Sequence, residues 1–225
     1  MDEKMGRVRS VNLARPHPNA FKSVGSTGIH KEPVDSAVEV RAPGAKEHGL
    51  GSGLVGDFIG DRRSHGGDDQ AVYAYAEEDL RWWHEQLGEP LTFGQFGENL
   101  TTSGIDVNGA RIGERWRVGG AVQLQVTDPR IPCGTFRGHM NRKGWLKSFV
   151  NSGRPGAYLR IITEGTIRRD DTIEVVHRPD HDVTVSLVFR ALTVERELLP
   201  QILNAPELTE ETRDMARRSE GFTIE

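Results

Sequence analysis

Alternating apolar and polar residues are the dominant pattern along this chain of 225 residues. In the segment 121–127, Val122, Leu124 and Val126 fall on one side of an extended chain and polar side chains fall on the other. This is the pattern of a strand with one solvated face. The same alternation recurs in seven further segments, at residues 7–13, 37–40, 70–76, 115–120, 157–163, 171–177 and 183–189. About eight short strands, separated by glycine, proline and aspartate, predict a mainly β fold, either a barrel or a sandwich.

Helical periodicity is limited to a few segments. Residues 77–88 begin with acidic side chains, place large apolar residues on one stripe and end at Gly88, which predicts a helix with a glycine C-cap. Residues 136–153 predict a second helix, although their internal glycines weaken it. The tail predicts two short helices appended to the β domain, with Thr193 and Thr209 as N-caps and Gly221 as the stop.

Composition narrows the classes of function. The 26 glycines and 11 prolines favour many short strands over an all-helical protein. Lys and Arg total 29 against 33 for Asp and Glu, so we expect no nucleic-acid polymer as a partner. The N-terminus shows no signal peptide and no segment approaches a membrane span, so we expect a cytoplasmic protein with no membrane partner.

Cys133 is the single cysteine, which excludes an internal disulfide, a Cys-rich zinc site and an iron–sulfur cluster. A strand is expected to end at Asp128. Pro129 and Pro132 then stop backbone pairing, because proline lacks an N–H group and has a fixed φ. The cysteine is therefore predicted to lie in a stiff loop at the end of a strand.

The chemistry of this thiol has several interpretations. Arg130, Arg137 and His139 are near Cys133 in sequence and, if also near in space, favour the thiolate, which attacks electrophiles and binds soft metals. A free cysteine is also commonly a small buried hydrophobe. A zinc site with His139 would need further ligands, for which the candidates are His65, Asp68 and Asp69.

The segment "DRRSHGGDDQ" is the second candidate for chemistry. Its adjacent glycines, Gly66 and Gly67, let the backbone approach a bound group closely. His65, Arg62 and Arg63 precede them and could receive an anion. The alternative is a polar turn in which the histidine bonds to the backbone.

The segment "FGQFGENLTT" is the third candidate. It predicts a turn anchored by Phe93 and Phe96, with Gly97, Glu98 and Asn99 at its tip. It lies in one of two long glycine-rich connections, residues 88–110 and 41–69, and loops of such length are usually functional or disordered. Taken alone, the turn has a structural interpretation as well as a functional one.

Four segments in this order resemble the MOSC family, named for the C-terminal domain of molybdenum-cofactor sulfurase. They are "GDFIGDRRSHGGDDQAVYAYA", "FGQFGENLTT", "IGERWRVGGAVQLQVTDPRIPC" and "GRPGAYLRI". The resemblance spans about residues 36–190 and is similar in particular to a stand-alone bacterial branch of the YiiM type. The tail resembles a shortened version of the three-helix appendix of that branch.

The resemblance implies a strongly bent, closed β-barrel in residues 1–191 and a short C-terminal helical appendix in residues 192–225. It also implies a pocket for the pyranopterin molybdenum cofactor, with Cys133 as the protein ligand to the metal. A thiolate is a soft donor, and a proline-stiffened loop fixes its direction. The arginines that would hold the anionic cofactor are Arg62, Arg63, Arg130 and Arg160.

The "HGG" and "GEN" motifs carry the remaining site residues over from the resemblance. His65 and Asn99 are expected to act with Cys133, by hydrogen bonding to the pterin, an oxo group or the substrate. An imidazole exchanges protons near neutral pH, so His65 is the first candidate for the proton donor. The other expected cofactor contacts are Gly66, Gly67, Gly97, Glu98 and Thr101.

The activity that the resemblance implies is reduction of N-hydroxylated compounds, such as hydroxylamino purines and amidoximes, to amines. The chain shows no flavin or iron–sulfur motif, so a separate reductase would supply electrons. Two alternatives stay open. Cys133 could carry a persulfide in a sulfur carrier, or the protein could hold the molybdenum cofactor without turnover. We also expect Asn99→Ala to weaken activity far more than stability.

Overall fold

A computed structural model describes residues 5–23 and 25–222. Over these residues the strands, in chain order, are β1 Gly6–Ala14, β2 His17–Pro18, β3 Ser26–Thr27, β4 Lys31–Val34, β5 Val38–Val40, β6 Val72–Ala76, β7 Leu100–Ser103, β8 Arg115–Val118, β9 Val122–Pro129, β10 Ala157–Thr163, β11 Gly165–Ile167 and β12 Thr172–His177. The α-helices of the same residues are α1 Glu77–Leu87, α2 Gly134–Met140, α3 Trp145–Ser152, α4 Val185–Thr193, α5 Leu199–Ile202 and α6 Glu210–Arg217, with 3-10 turns at Asp68–Gln70 and Arg196–Leu198.

Seven of these strands close into a barrel. Their order is β12-β8-β9-β10-β6-β7-β1, and pairing of Gly6 with Ile173 joins β1 back to β12. Neighbours are antiparallel except β6 and β7, which run parallel. The other end of β1 pairs with β4. The predicted closed barrel is therefore confirmed, with short helices added around it.

The two faces of β6 pack into different clusters. Val72 and Ala74 belong to an aliphatic core with residues of the other barrel strands. Tyr73 and Tyr75 point the other way, as alternate residues of a strand do, and join an aromatic cluster. That cluster also contains side chains from helices α1, α2 and α3 and from the turn before β7, among them Trp83, Phe96, Phe136, Trp145 and Phe149. The aromatic cluster supports the loop that carries the cysteine.

The segment 183–189, predicted to be a strand, is instead the start of helix α4. The Thr184 hydroxyl accepts a hydrogen bond from the N–H of Leu187 at 3.1 Å and so caps the helix. The buried apolar residues of this helix are Val185, Val188, Phe189, Ala191 and Leu192. Their i, i+3, i+4 spacing is that of a helical face. Val183, Val185, Leu187 and Phe189 also alternate along the sequence, and burial of the helical face decides between the two.

The predicted helix at 136–153 is broken into α2 and α3. Asn141 ends α2 in the left-handed conformation, with φ 47°, and Gly144 has φ 73° just before α3 begins. Gly138 is tolerated inside α2, so the break comes from the "NRKG" segment and not from that glycine.

Of the two N-caps predicted in the tail, the structure confirms one and contradicts the other. Thr209 caps α6 by accepting a hydrogen bond from the N–H of Thr212, which confirms that prediction. Thr193 is instead the last residue of α4, and its hydroxyl donates to the Phe189 carbonyl. Helix α6 ends at Arg217, before the predicted stop.

The predicted boundary between residues 191 and 192 falls within α4, and the division into two domains stays a prediction. None of the helices in the described part of the chain has the length and apolar content needed to cross a bilayer.

Candidate functional site

Cys133 lies where a barrel strand meets a helix. Strand β9 ends at Pro129, and the cysteine is the extended residue immediately before α2, with φ −128° and ψ 169°. Its side chain is half-buried. The two prolines that end backbone pairing thus deliver the thiol to the end of the strand, as the sequence predicts.

A cavity that opens to solvent lies beside this thiol. The predicted site residues on its wall are Cys133, His65, Gly66, Gly97, Asn99 and Arg130. They come from three separate loops, so the fold brings together the "HGG", "GEN" and "PRIPC" motifs. The roles that were assigned to them stay predictions.

The electrostatics of the cavity favour the thiolate. Burial raises the pKa of Cys133, but hydrogen bonding with His65 and the positive charge of Arg130 lower it to about 6. At neutral pH the sulfur is therefore mostly ionised. A thiolate is both the nucleophilic and the metal-binding form of cysteine.

Arg130 is held rigidly beside the sulfur. Its Nη1 donates to the carbonyl of Phe96 at 2.6 Å. Its guanidinium lies over the rings of Phe136 and Tyr73, 3.8 and 5.3 Å from their centroids. The side chain is buried, so its charge acts on the thiolate with little solvent screening.

The double glycine places His65 on the cavity wall. Gly66 and Gly67 have φ values of 82° and 76°, where a side chain is strained. A Cβ at Gly66 would also lie 2.6 Å from the carbonyl oxygen of Gly51, and the N–H of Gly67 donates to that same oxygen at 2.9 Å. The backbone N–H of His65 donates to the backbone carbonyl of Asp61 at 3.0 Å. The tight turn therefore explains why glycine is found at both positions. Gly67 does not line the cavity of Cys133.

Asn99 lines the cavity, but its amide is occupied by the protein. Its Oδ1 accepts from the N–H of Tyr73 at 3.1 Å, and its Nδ2 donates to Asp57 at 2.9 Å and to the carbonyl of Asn12 at 3.4 Å. These bonds join three segments at the cavity wall. The geometry supports a positioning role for this amide.

Asp57 is a central residue that the sequence reasoning missed. Its carboxylate binds the Lys31 ammonium at 2.6 and 2.7 Å and also accepts from Ser52, Asn99 and the N–H of Ala14. Side-chain exposure is 6% for the lysine and 0% for the aspartate, so the ion pair is fully buried. Three of the four partners, Ala14, Lys31 and Asn99, are distant from Asp57 in sequence, and no local pattern marks them.

Two residues expected at the cofactor lie in an internal network instead. Glu98 is fully buried and accepts from the N–H groups of Gly94 and Phe96 and from the hydroxyl of Thr101. Neither Glu98 nor Thr101 lines the cavity of Cys133. Glu98 and Thr101 pair with the hydrogen-bonding groups of the buried turn before β7, because a buried carboxylate needs such donors.

The remaining arginines are dispersed. Arg160 pairs with Asp69 and Gln125 near Gly67, in a separate surface depression. Arg62 lies next to Gly51, and its Nε and Nη2 are buried without a partner within residues 5–23 and 25–222. Arg63 lines a second cavity, which also reaches Cys133.

The predicted zinc alternative finds no support in the side-chain arrangement. The Nε2 of His139 bonds the carbonyl of Gln95 at 2.9 Å. Across the described ranges, 5–23 and 25–222, no group of three or more His, Cys, Asp or Glu side chains is placed to hold a metal ion.

Comparison with known proteins gives consistent matches. The model of the MOSC domain family matches residues 61–174. The chain is 31% identical to YflK of Bacillus subtilis over 192 residues, which is 84% of this chain and 82% of YflK. It is 29% identical to a protein of Gibberella moniliformis named as a reductase, covering 95% of this chain but 37% of that protein.

The fold comparison agrees with the sequence comparison. The crystal structure of YiiM from Geobacillus stearothermophilus superposes with a TM-score of 0.76 at 26% identity, over 95% of this chain and 98% of that one. YiiM of Escherichia coli is 29% identical to this chain over 180 residues, 77% of this chain and 80% of YiiM. The superposition on YiiM of Geobacillus stearothermophilus, which covers 95% of this chain, extends beyond the barrel into the C-terminal helices.

Proposed function

This chain belongs to the MOSC domain family, and from that premise we propose that it is a molybdenum-cofactor-dependent reductase of N-hydroxylated compounds. The observation that carries the proposal is the Cys133 thiolate, with a pKa of about 6, on the wall of the cavity where the three motifs meet. Its proposed role is that of protein ligand to molybdenum. Hydroxylamino purines and amidoximes are the proposed substrates.

The residues of the first cavity fit a pyranopterin molybdenum cofactor. Cys133 supplies a soft sulfur donor of the kind that molybdenum accepts. Gly66 and Gly97 line the cavity without side chains, so the backbone can approach a bound group closely. Arg130 supplies the buried positive charge that suits an anionic ligand.

The reaction conserves atoms and electrons in a simple way. The N–O bond breaks, an N–H bond forms and the oxygen leaves as water, at the expense of two electrons and two protons. When bound, the molybdenum cofactor would supply the two electrons and an acceptor for the oxygen. A separate reductase is the proposed source of those electrons, and the name of the fungal relative supports the oxidoreductase class.

The chain's own residues contribute ionisation, proton supply and orientation. Arg130 keeps the sulfur ionised, and Phe136 and Tyr73 hold that charge in place. His65 lies beside the thiol on the same wall and is the proposed donor of a proton to the departing oxygen. Asn99 and Asp57 position the loops around the cavity and bind no substrate atoms.

A sulfur carrier is the second candidate, because the same accessible thiolate would also hold a persulfide. Mass spectrometry of the purified protein distinguishes the two. An extra sulfur atom on Cys133 in protein without molybdenum would favour the carrier.

The reductase is tested by anaerobic turnover. Protein from a host that makes the cofactor is supplied with a reduced dye as electron donor and a hydroxylaminopurine as substrate. We expect formation of the amine in wild type and its loss in Cys133→Ala. Protein that holds molybdenum but forms no amine with any N-hydroxylated probe would instead be a cofactor carrier.

A further inference from the structure

A second cavity lies between the barrel and the C-terminal helices. Its volume is about 350 Å³, which is within the range of small-molecule sites. Cys133, His65, Gln70 and Tyr158 line both this cavity and the first one. These four residues therefore form a partition, with the reactive thiol accessible from two sides.

The C-terminal wall of this cavity is firmly attached to the barrel. Asp128, at the end of β9, accepts hydrogen bonds from the hydroxyls of Thr209 and Thr212 at 2.5 and 2.8 Å. The ammonium of Lys46 pairs with Glu211 at 2.8 Å. These contacts fix α6 beside the cysteine loop, so its side chains form a built wall of the cavity.

The segment after α6 is anchored as well. The N–H of Phe222 donates to the carbonyl of Leu192 at 2.7 Å, which ties it to the end of α4. Phe222, Leu192 and Met215 of α6 all line the second cavity, as does Ile131 of the cysteine loop. Ionisable groups also line this cavity, namely Lys22, Arg63, His65, Asp128 and Glu211.

One wall of the second cavity is apolar. It is formed by Leu192 of α4, Met215 of α6 and Phe222 after α6. A thioether and an aromatic ring pack well against a flat unsaturated ring. A planar organic substrate is therefore the ligand that the second cavity suits.

Gln70 adds a polar group at the partition. Its Oε1 is buried and has no hydrogen-bond partner among the described residues. An unsatisfied buried acceptor is unfavourable, and the terminal amide torsion of glutamine is soft. Rotation toward either cavity would let this oxygen accept a hydrogen bond from a ligand, and a hydroxylamino group is such a donor.

From these observations we propose that the second cavity is the substrate site. The flat ring packs on Met215 and Phe222, and the N-hydroxylated group points to the partition, where Gln70 accepts its hydrogen bond. The first cavity is left for the cofactor. The C-terminal helices thus determine specificity, a role that rests on the proposed reductase function.

The test measures, by calorimetry, the equilibrium binding of a hydroxylaminopurine to cofactor-loaded protein in the absence of reductant. Met215→Trp fills the cavity and should weaken binding by more than roughly tenfold. Gln70→Met keeps the side-chain length but removes the acceptor, and should weaken binding by roughly tenfold. Arg217→Trp adds the same bulk to an exposed position of α6 and should leave binding unchanged.

The outcomes separate the two proposals. Wild-type affinity in both Met215→Trp and Gln70→Met, with molybdenum content and melting temperature unchanged, overturns the substrate site, as does absence of binding to wild type. The variants could show the expected changes in binding while wild type forms no amine when the reduced dye is added. This result would support the substrate site and contradict the reductase.

Discussion

The guanidinium of Arg130 lies 3.8 Å from the centre of the Phe136 ring. These two residues stand at equal distances in sequence before and after Cys133. The contact closes the cysteine loop around its thiol and fixes a buried positive charge beside the sulfur. The ionisation of Cys133 therefore depends on this packing as well as on the presence of an arginine.

The first prediction concerns the reactivity of the thiol. The rate of alkylation by iodoacetamide should be half-maximal near pH 6, because the pKa of Cys133 is lowered to about 6. Arg130→Gln should move this midpoint toward the ordinary range of thiols. Arg137→Gln removes an exposed charge of α2 and is the matched control. A wild-type midpoint at the usual thiol value of about 8.5 would contradict this account.

The second prediction concerns Asn99. Its amide joins Tyr73, Asp57 and Asn12 inside the protein, so Asn99→Ala should lower the free energy of unfolding by about 1–3 kcal/mol. Urea denaturation measures the change, and the exposed Asn204→Ala serves as control. This differs from the sequence-based expectation of a loss confined to activity. Unchanged stability with lost activity would restore that earlier expectation.

The third prediction concerns the buried ion pair. Lys31→Met leaves the Asp57 carboxylate without its cation and should lower the free energy of unfolding by about 3–5 kcal/mol. Arg117→Met breaks the more exposed pair with Glu174 and should lower it by no more than about 1 kcal/mol. Similar small losses in both single variants would show that the first pair is solvated.

The fourth prediction concerns Asp128 and the pH dependence of stability. Burial raises the pKa of this carboxyl to about 7, although the hydroxyls of Thr209 and Thr212 lower it. The folded protein then holds a proton that the unfolded chain releases near pH 4. This contribution to stability is present below about pH 4, decreases as the pH rises to about 7, and is absent above. Urea denaturation across this range should show a weaker slope in Asp128→Asn, and identical slopes would contradict the shift.

The sequence predicted most barrel strands because apolar and polar residues alternate along them, although the polar side of β9, expected to be solvated, is largely buried at Gln125 and Thr127. Segments such as 121–127 and 157–163 alternate clearly, and both became strands. The failures have physical causes. Strand β7 has two buried faces for most of its length, so Leu100–Ser103 shows no alternation. The segment 183–189 satisfies both periods, and only packing against the barrel selects the helix.

The sequence motifs predicted which residues share the cavity, but not the long-range partners of those residues. Cys133, His65 and Arg130 share a cavity, as the resemblance implied. Asp57 and Lys31 were missed because their interaction is long-range. Arg160 was placed at the cofactor because arginines suit anions, but Asp69 neutralises it in the folded chain. The chemistry of a side chain is readable from sequence, whereas its partner is not.

The central claim is that Cys133 binds molybdenum, and metal analysis tests it most directly. Wild type, Cys133→Ala and Arg137→Gln would be purified from a host that makes the cofactor and their molybdenum measured per chain. We expect metal in wild type and in Arg137→Gln, and its loss from Cys133→Ala at an unchanged melting temperature. Equal molybdenum in wild type and Cys133→Ala would contradict the claim.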